Sequence, residues 1–424
     1  MNRPKILWIS DILAKTGFGV AAENNLKYLQ TKYDIAAAGW NFNPADKHRR
    51  PWQCYYVPKQ PNPELGITSR NILETLYPII EKEKPDAIVA FADPWDFFYV
   101  SDEFADNDGQ VYLGIRKRFP DIKIFGYLTA DATPLPTYLR RNLMFYDAIA
   151  VPSEFSKTAL QILLPNTPIT VIYHGIDSDI FKKIHPEIVN NWKKQIGIEG
   201  KFVVGFNGRN QFRKNIPGLL RTFKEFSDSH PDAVLLFLTD IDAATAVNDV
   251  KRLINRMGLT GKVICPEAFG PKANVADEKM SLYYNCMDVY LTLSFAEGFG
   301  CPILEAMACG VPVVTTGYSA PVELIEKSGG GVLVDVAGWV NEKSTDRNFA
   351  IANETQAANY LHALYSNPDL RTKVGEKARL WASKQTWLKS GKEFDAFLAE
   401  SLKKPKIDFF PISYGIEVID KDVI

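Results

Sequence analysis

Glu297 and Glu305 stand at a Glu-x7-Glu spacing with Gly298, Phe299, Gly300 and Cys301 between them. An ionised carboxylate only accepts hydrogen bonds, so each can take two hydroxyls of a diol, the pattern a ribose or a hexose presents. The unpaired N–H groups of Phe299, Gly300 and Cys301 would converge on one spot where a helix N-terminus also favours an anion, which is the chemistry of a phosphate site. A second reactive group, Arg209 and Lys214 in NGRNQFRKN, follows the apolar run Phe202 to Phe206. An arginine fork and a lysine point charge facing that phosphate spot would neutralise a diphosphate. Arg213 reads as a surface residue.

These groups need a rigid frame, and the flanking sequence supplies one. Val289 to Ser294 is β-branched and apolar enough for a buried strand, Pro302 fits a first helical position, Gly310 fits a left-handed stop, and Pro312 to Thr316 reads as the next parallel strand. The unit is βαβ with a glycine-rich turn feeding a helix. The same rhythm runs from Lys201 onward, with strands at Phe202 to Phe206, Ala233 to Thr239 and Val263 to Pro266. An earlier series opens with Lys5 to Ser10, a loop holding Gly17 and Gly19, and a helix. It continues through strands at Asp34 to Trp40, Ala87 to Phe91, Ile122 to Leu128 and Tyr146 to Pro152. Glycines at such a turn let backbone approach a ligand closely. The aromatic loop with Trp95, Phe97 and Phe98 reads equally as acceptor platform or as core. AGWVNEKSTDRN reads as an inserted loop, and the tail after residue 402 shows strand-like alternation.

At 424 residues the chain is long for one core, and two domains are expected. A formal net charge of -1 gives no global basic field for nucleic acid or an anionic membrane. The five cysteines form no CxxC pair and are odd in number, which disfavours a disulfide framework or a zinc site and suits a reducing compartment. With no leader-like start and no apolar run of about 18 residues, the sequence reads as a cytoplasmic protein with no membrane span.

The stretch SFAEGFGCPILEAMACGVPVV resembles the signature of family 4 (group 1) retaining glycosyltransferases of the GT-B fold. That resemblance implies an α/β architecture of two Rossmann-like, doubly wound parallel-sheet domains facing across a cleft. The expected boundaries are 1–184 for an acceptor-binding domain, joined by the closing helix and tail at about 385–424, and 195–384 for a nucleotide-sugar-binding domain. In the family the first Glu contacts the donor sugar and the second the ribose, which falls on Glu297 and Glu305. Arg209 and Lys214 fall on its diphosphate-binding pair, Gly17 and Gly19 on its N-terminal glycine loop, and Ile264, Cys265 and Pro266 on its nucleobase segment. The family's His-Asp pair matches Ala130-Asp131 here. The histidine is absent, and either Asp131 or a backbone group takes over its role. His174, where the family often has Asn, is either a ligand contact or a hinge histidine satisfied by backbone.

The expected activity is metal-independent transfer of a sugar, with retention, from a nucleotide diphospho-sugar to a hydroxyl, with no cofactor. Two other readings are a sugar-nucleotide epimerase of the same fold and a non-catalytic nucleotide-sugar-binding protein. The Arg-Lys pair with Glu-x7-Glu argues against the epimerase. The balanced charge favours a neutral sugar, small-molecule or protein hydroxyl as acceptor. The basic runs His48-Arg49-Arg50 and Arg140-Arg141 keep open a lipid phosphate or a modified DNA base.

Overall fold

The computed structural model describes residues 3–12, 16–40, 50–57, 69–96, 100, 103–105, 111–241, 246–266, 275–342 and 346–406. Phe97, Phe98, His48, Arg49 and the tail from residue 407 lie outside them. The strands in chain order are β1 Lys5–Ser10, β2 Asp34–Gly39, β3 Gln53–Tyr56, β4 Ala87–Ala92, β5 Glu103–Ala105, β6 Val111–Leu113, β7 Lys123–Leu128, β8 Ala148–Val151 and β9 Ile169–Val171. There follow β10 Phe202–Asn207, β11 Ala233–Leu238, β12 Val263–Ile264, β13 Val289–Thr292, β14 Val313–Thr316, β15 Gly331–Val334, β16 Val336–Glu342 and β17 Arg347–Ala352.

Among the described residues two parallel sheets form, ordered β3-β2-β1-β4-β7-β8-β9 and β12-β11-β10-β13-β14-β15. Runs such as AIVAFA in β4 and AVLLFL in β11 are apolar at every position because helices cover both faces of each sheet. Each sheet accordingly has two buried clusters, one per face. The strand order reverses between β1 and β4 in the first sheet and between β10 and β13 in the second. In open α/β sheets a crevice opens beyond the carboxyl ends of strands at such a reversal. The carboxyl ends of β1 and β4 on one side, and of β10 and β13 on the other, therefore border the cleft, with the carboxyl end of β7 beside that of β4.

The long helix Trp387–Lys403 returns to the first sheet. Phe394 packs against Trp8 and Tyr127, each at 5.2 Å between ring centroids, and the Tyr33 hydroxyl donates to Asp395 Oδ1 at 2.9 Å.

Two local readings of the sequence are corrected. The Gly17–Gly19 stretch is the first turn of the helix Gly17–Leu29 and not a loop. Thr16 starts that helix early: its Oγ1 accepts from the Gly19 amide at 3.0 Å and donates to Asp11 Oδ2 at 2.6 Å. Val336–Glu342 and Arg347–Ala352 pair as the antiparallel hairpin strands β16 and β17, in place of the inserted loop. Alternating burial along Val336–Glu342 marks it as a two-faced strand pair.

Candidate functional site

The wall on the second sheet is built on the loop between β13 and the helix Cys301–Ala308. Gly300 caps that helix at φ +97°, a conformation that glycine tolerates and most side chains do not. The Phe299 and Gly300 amides have no acceptor among the described residues, the condition for an anion site at a helix start. Gly298 is required for a different reason. A Cβ there would sit 2.0 Å from Thr129 Cγ2, so the two walls touch backbone to side chain at this point.

Glu297 is buried and holds two cations, Lys214 Nζ at 2.5 Å and Arg213 Nη1 at 2.6 Å. Burial would raise its pKa, but the two cations pull it down to about 2. Arg213 is thus no surface residue: the short 3-10 turn Phe212–Lys214 aims it inward, where it also reaches the Ala296 carbonyl at 3.2 Å. That turn is fixed from both ends. The Phe295 amide donates to the Arg213 carbonyl at 2.7 Å, and Asn215 caps the next helix through Gly218 while its Nδ2 reaches the Leu293 carbonyl at 3.2 Å.

Arg209 is exposed, and its side chain has no partner among the described residues. Its loop is anchored by Asp240, which accepts from the Asn210 amide at 2.9 Å. Glu305 is half-buried and accepts from the Tyr284 hydroxyl at 2.6 Å; burial lifts its pKa to about 7. Ile264, Cys265 and Pro266 leave the edge strand β12 half-buried, and burial raises the Cys265 thiol to about 11. Cys301 is half-buried at the helix start, its thiol pushed up to about 12 by burial, so it is no nucleophile near neutral pH.

On the wall of the first sheet, Asp131 follows β7 and is paired with Arg347, 216 residues away in sequence. Burial raises the Asp131 pKa, opposed by Arg347 and Arg213. His174 is a core residue. The Tyr127 hydroxyl donates to the Ile172 carbonyl at 2.9 Å, so His174 Nδ1, also 2.9 Å from that oxygen, supplies the proton between them. Burial drops the His174 pKa to about 3, keeping it neutral among the rings of Phe91, Tyr127, Phe299 and Trp387.

The structure therefore brings Lys214, Glu297, Gly298 and Asp131 together, with Phe299, Gly300, Cys301 and Glu305 continuing along the same loop and helix. Sequence reasoning missed Arg213 and Arg347. Arg213 had a signal, its place beside Lys214; Arg347 had none, because it is brought in by a distant hairpin.

Residues 189–381 match the model of the family described as glycosyl transferases group 1. The chain is 28% identical over 224 residues to a D-inositol 3-phosphate glycosyltransferase of Corynebacterium jeikeium, covering 52% of this chain and 48% of the relative. It is 27% identical over 235 residues to the lipopolysaccharide core biosynthesis mannosyltransferase LpsB of Rhizobium meliloti, covering 49% of this chain and 63% of the relative. The matched stretches thus span about half to two-thirds of those relatives' lengths. In three dimensions the chain resembles HepE of Anabaena in complex with UDP, with a TM-score of 0.71 at 18% identity over 93% of this chain and all of that one. The architecture is the expected GT-B fold of two Rossmann-like units. Among the described residues no helix is long and apolar enough to cross a membrane.

Proposed function

We propose that the chain is a retaining, metal-independent glycosyltransferase that moves a sugar from a nucleoside diphospho-sugar to a hydroxyl acceptor. The observation that carries this reading is the convergence of a cation, Lys214, with free helix-start amides and two carboxylates along one loop and helix. The donor diphosphate sits against the Phe299 to Cys301 amides with Arg209 and Lys214 beside it, Glu305 takes the ribose diol, and Glu297 faces the sugar. The bond from the anomeric carbon to the diphosphate breaks, and a bond to the acceptor oxygen forms on the same face. The acceptor proton passes to the leaving phosphate oxygen, releasing a nucleoside diphosphate. Charge grows on that leaving group, and fixed cations and amides stabilise it without reorganising. Lys214 has to loosen its grip on Glu297 to serve there, so the ion pair stands in for the diphosphate before it arrives.

Residues 1–184 with 385–424 hold the acceptor, and 195–384 hold the donor, in a cytoplasmic protein without a resident cofactor. Five free thiols among the described residues fit a reducing compartment. Arg213, Lys214 and Arg347 are each committed to a carboxylate, Glu297, Asp131 or Glu342, and so form no basic patch open to a polyanion, which supports a neutral hydroxyl acceptor. The test is a panel of UDP-, GDP- and ADP-sugars with sugar and small-molecule acceptors, read by mass spectrometry and by the anomeric NMR signal of the product. A glycoside of retained configuration, formed equally well in EDTA, is the expected result. Sugar interconversion without an acceptor would replace transfer with epimerisation, and binding without turnover would leave a binding protein.

A further inference from the structure

The β16–β17 hairpin leaves the second sheet and crosses to the first. Its Asn348 amide donates to the Thr133 carbonyl at 3.1 Å, and the Thr133 amide donates to the Tyr318 hydroxyl at 3.0 Å, which in turn donates to the Asn348 carbonyl at 3.2 Å. On the donor side the Ala350 amide donates to the Phe295 carbonyl at 3.0 Å. Phe349 is buried with Ala132 and Ala296, one from each wall, and Phe295 stacks on it at 6.3 Å between centroids. One side chain of this pinned hairpin reaches into the cleft, Arg347. Its guanidinium binds Asp131 through Nη1 and Glu342 Oε2 through Nη2 at 3.2 Å, and lies 4.2 Å from the Trp95 ring centroid. A fork with both arms committed and a face stacked has little rotational freedom left, and the carboxylate it grips shares that restriction.

We propose that Arg347 is a positioning residue for sugar transfer: delivered by the hairpin, it fixes the Asp131 carboxylate at the junction of the two walls so that Asp131 accepts a hydroxyl of the reacting sugar. This rests on the glycosyltransferase reading above. A carboxylate offers about four lone-pair directions, so the contact with Arg347 leaves acceptor capacity for a hydroxyl. The groups facing Asp131 are Arg347 from β17, Arg213 from the 3-10 turn and Glu297 from the loop after β13, with its own backbone amide. Removing Arg347 deletes one of the two cations and leaves the opposing Glu297, so Asp131 would take up a proton at higher pH.

The experiment compares wild type with Arg347→Gln, Arg347→Lys and Asp131→Asn, using whichever sugar nucleotide of the panel the wild type turns over. Nucleoside diphosphate release is followed from about pH 5 to 9, and affinity for the bare nucleoside diphosphate by calorimetry. Arg347→Gln should lower kcat on the order of a hundredfold, the scale for loss of an oriented catalytic-site hydrogen bond, and move the acid limb of the profile to higher pH. Its nucleoside diphosphate affinity should stay within about twofold, and Arg347→Lys should recover about tenfold of the rate. Asp131→Asn should match the Arg347→Gln loss and erase that acid limb. Wild-type kcat and pH profile in Arg347→Gln would overturn the proposal, as would an active Asp131→Asn. So would equal losses of affinity and rate, the mark of a merely structural residue. A wild type inert toward every donor would instead overturn the glycosyltransferase reading itself, and this inference with it.

Discussion

On one wall of the cleft, Glu297, Gly298, Gly300 and Glu305 come from a single strand, loop and helix between Val289 and Ala308. On the other, Trp95, Asp131 and Arg347 come from three separate places, and the last arrives from the opposite sheet. The first wall is a local motif: once β13 and its helix form, backbone geometry alone delivers the amides and both carboxylates. The second exists only when the two sheets and the hairpin have docked. Charge differs as well. Glu297 is matched by two cations within one wall, whereas the Asp131 pairing spans the cleft. Variants on the first wall should therefore act through local electrostatics, and variants on the second through the placement of a charge that only the docked walls bring together.

The sharpest way to break this contrast is Lys214. Lys214→Ala should lower turnover roughly a hundredfold or more, because the cation acts where leaving-group charge develops; a loss below about tenfold, read as nucleoside diphosphate release, would remove Lys214 from that role. Glu297→Gln should cost about 3 kcal/mol in urea denaturation, since it strands two cations that are otherwise matched. Arg209→Ala should separate chemistry from folding. Its side chain is exposed and without a partner among the described residues, so turnover should fall by about a hundredfold with no change in Tm.

Glu305 yields a smaller effect with a definite sign. Its folded pKa, about 7, lies above the ordinary value of 4.5, so the folded state prefers the neutral form. Stability from this group is full below about pH 4.5 and is lost as pH rises through 7. Glu305→Gln should thus raise Tm by about 2 °C at pH 8 and not at pH 4. The same substitution should weaken nucleoside diphosphate affinity about tenfold at pH 8. Wild-type affinity should itself drop below pH 7, where the carboxylate proposed for the ribose diol takes up its proton. The least effect is expected from Arg140→Ala with Arg141→Ala. Both residues are exposed on the short helix Arg140–Leu143, and with a neutral acceptor the double variant should change activity by less than about twofold at any salt. A steep salt dependence that the double variant abolishes would restore the polyanion.

Much of the first wall is legible in the chain itself. Pro302 at a helix start, glycines before it and Gly310 after it, set between β-branched runs, specify βαβ by rules that act over a few residues. The apolar strands specify two parallel sheets because their burial on both faces leaves no alternation to mistake. What local rules do not carry is which charges meet. Arg213 looked solvated because nothing in NGRNQFRKN tells that the Phe212–Lys214 turn points it at a carboxylate 84 residues on. Gly17 and Gly19 looked like a loop because a glycine pair argues against helix, yet Thr16 capping and Asp11 anchoring outweigh that penalty of about 1 kcal/mol per glycine. The hairpin is the fullest case. Its alternation is present in VAGWVNE and RNFAIA, but the partner that makes Arg347 matter is Asp131, beyond the end of a strand in the other sheet. The sequence alone determined the elements and the glycine loop after β13, since those follow from contacts a few residues apart. Only the tertiary structure decided the ion pairs of Glu297 and Asp131, because a charge's partner depends on which chain ends the docked sheets bring within a few ångströms.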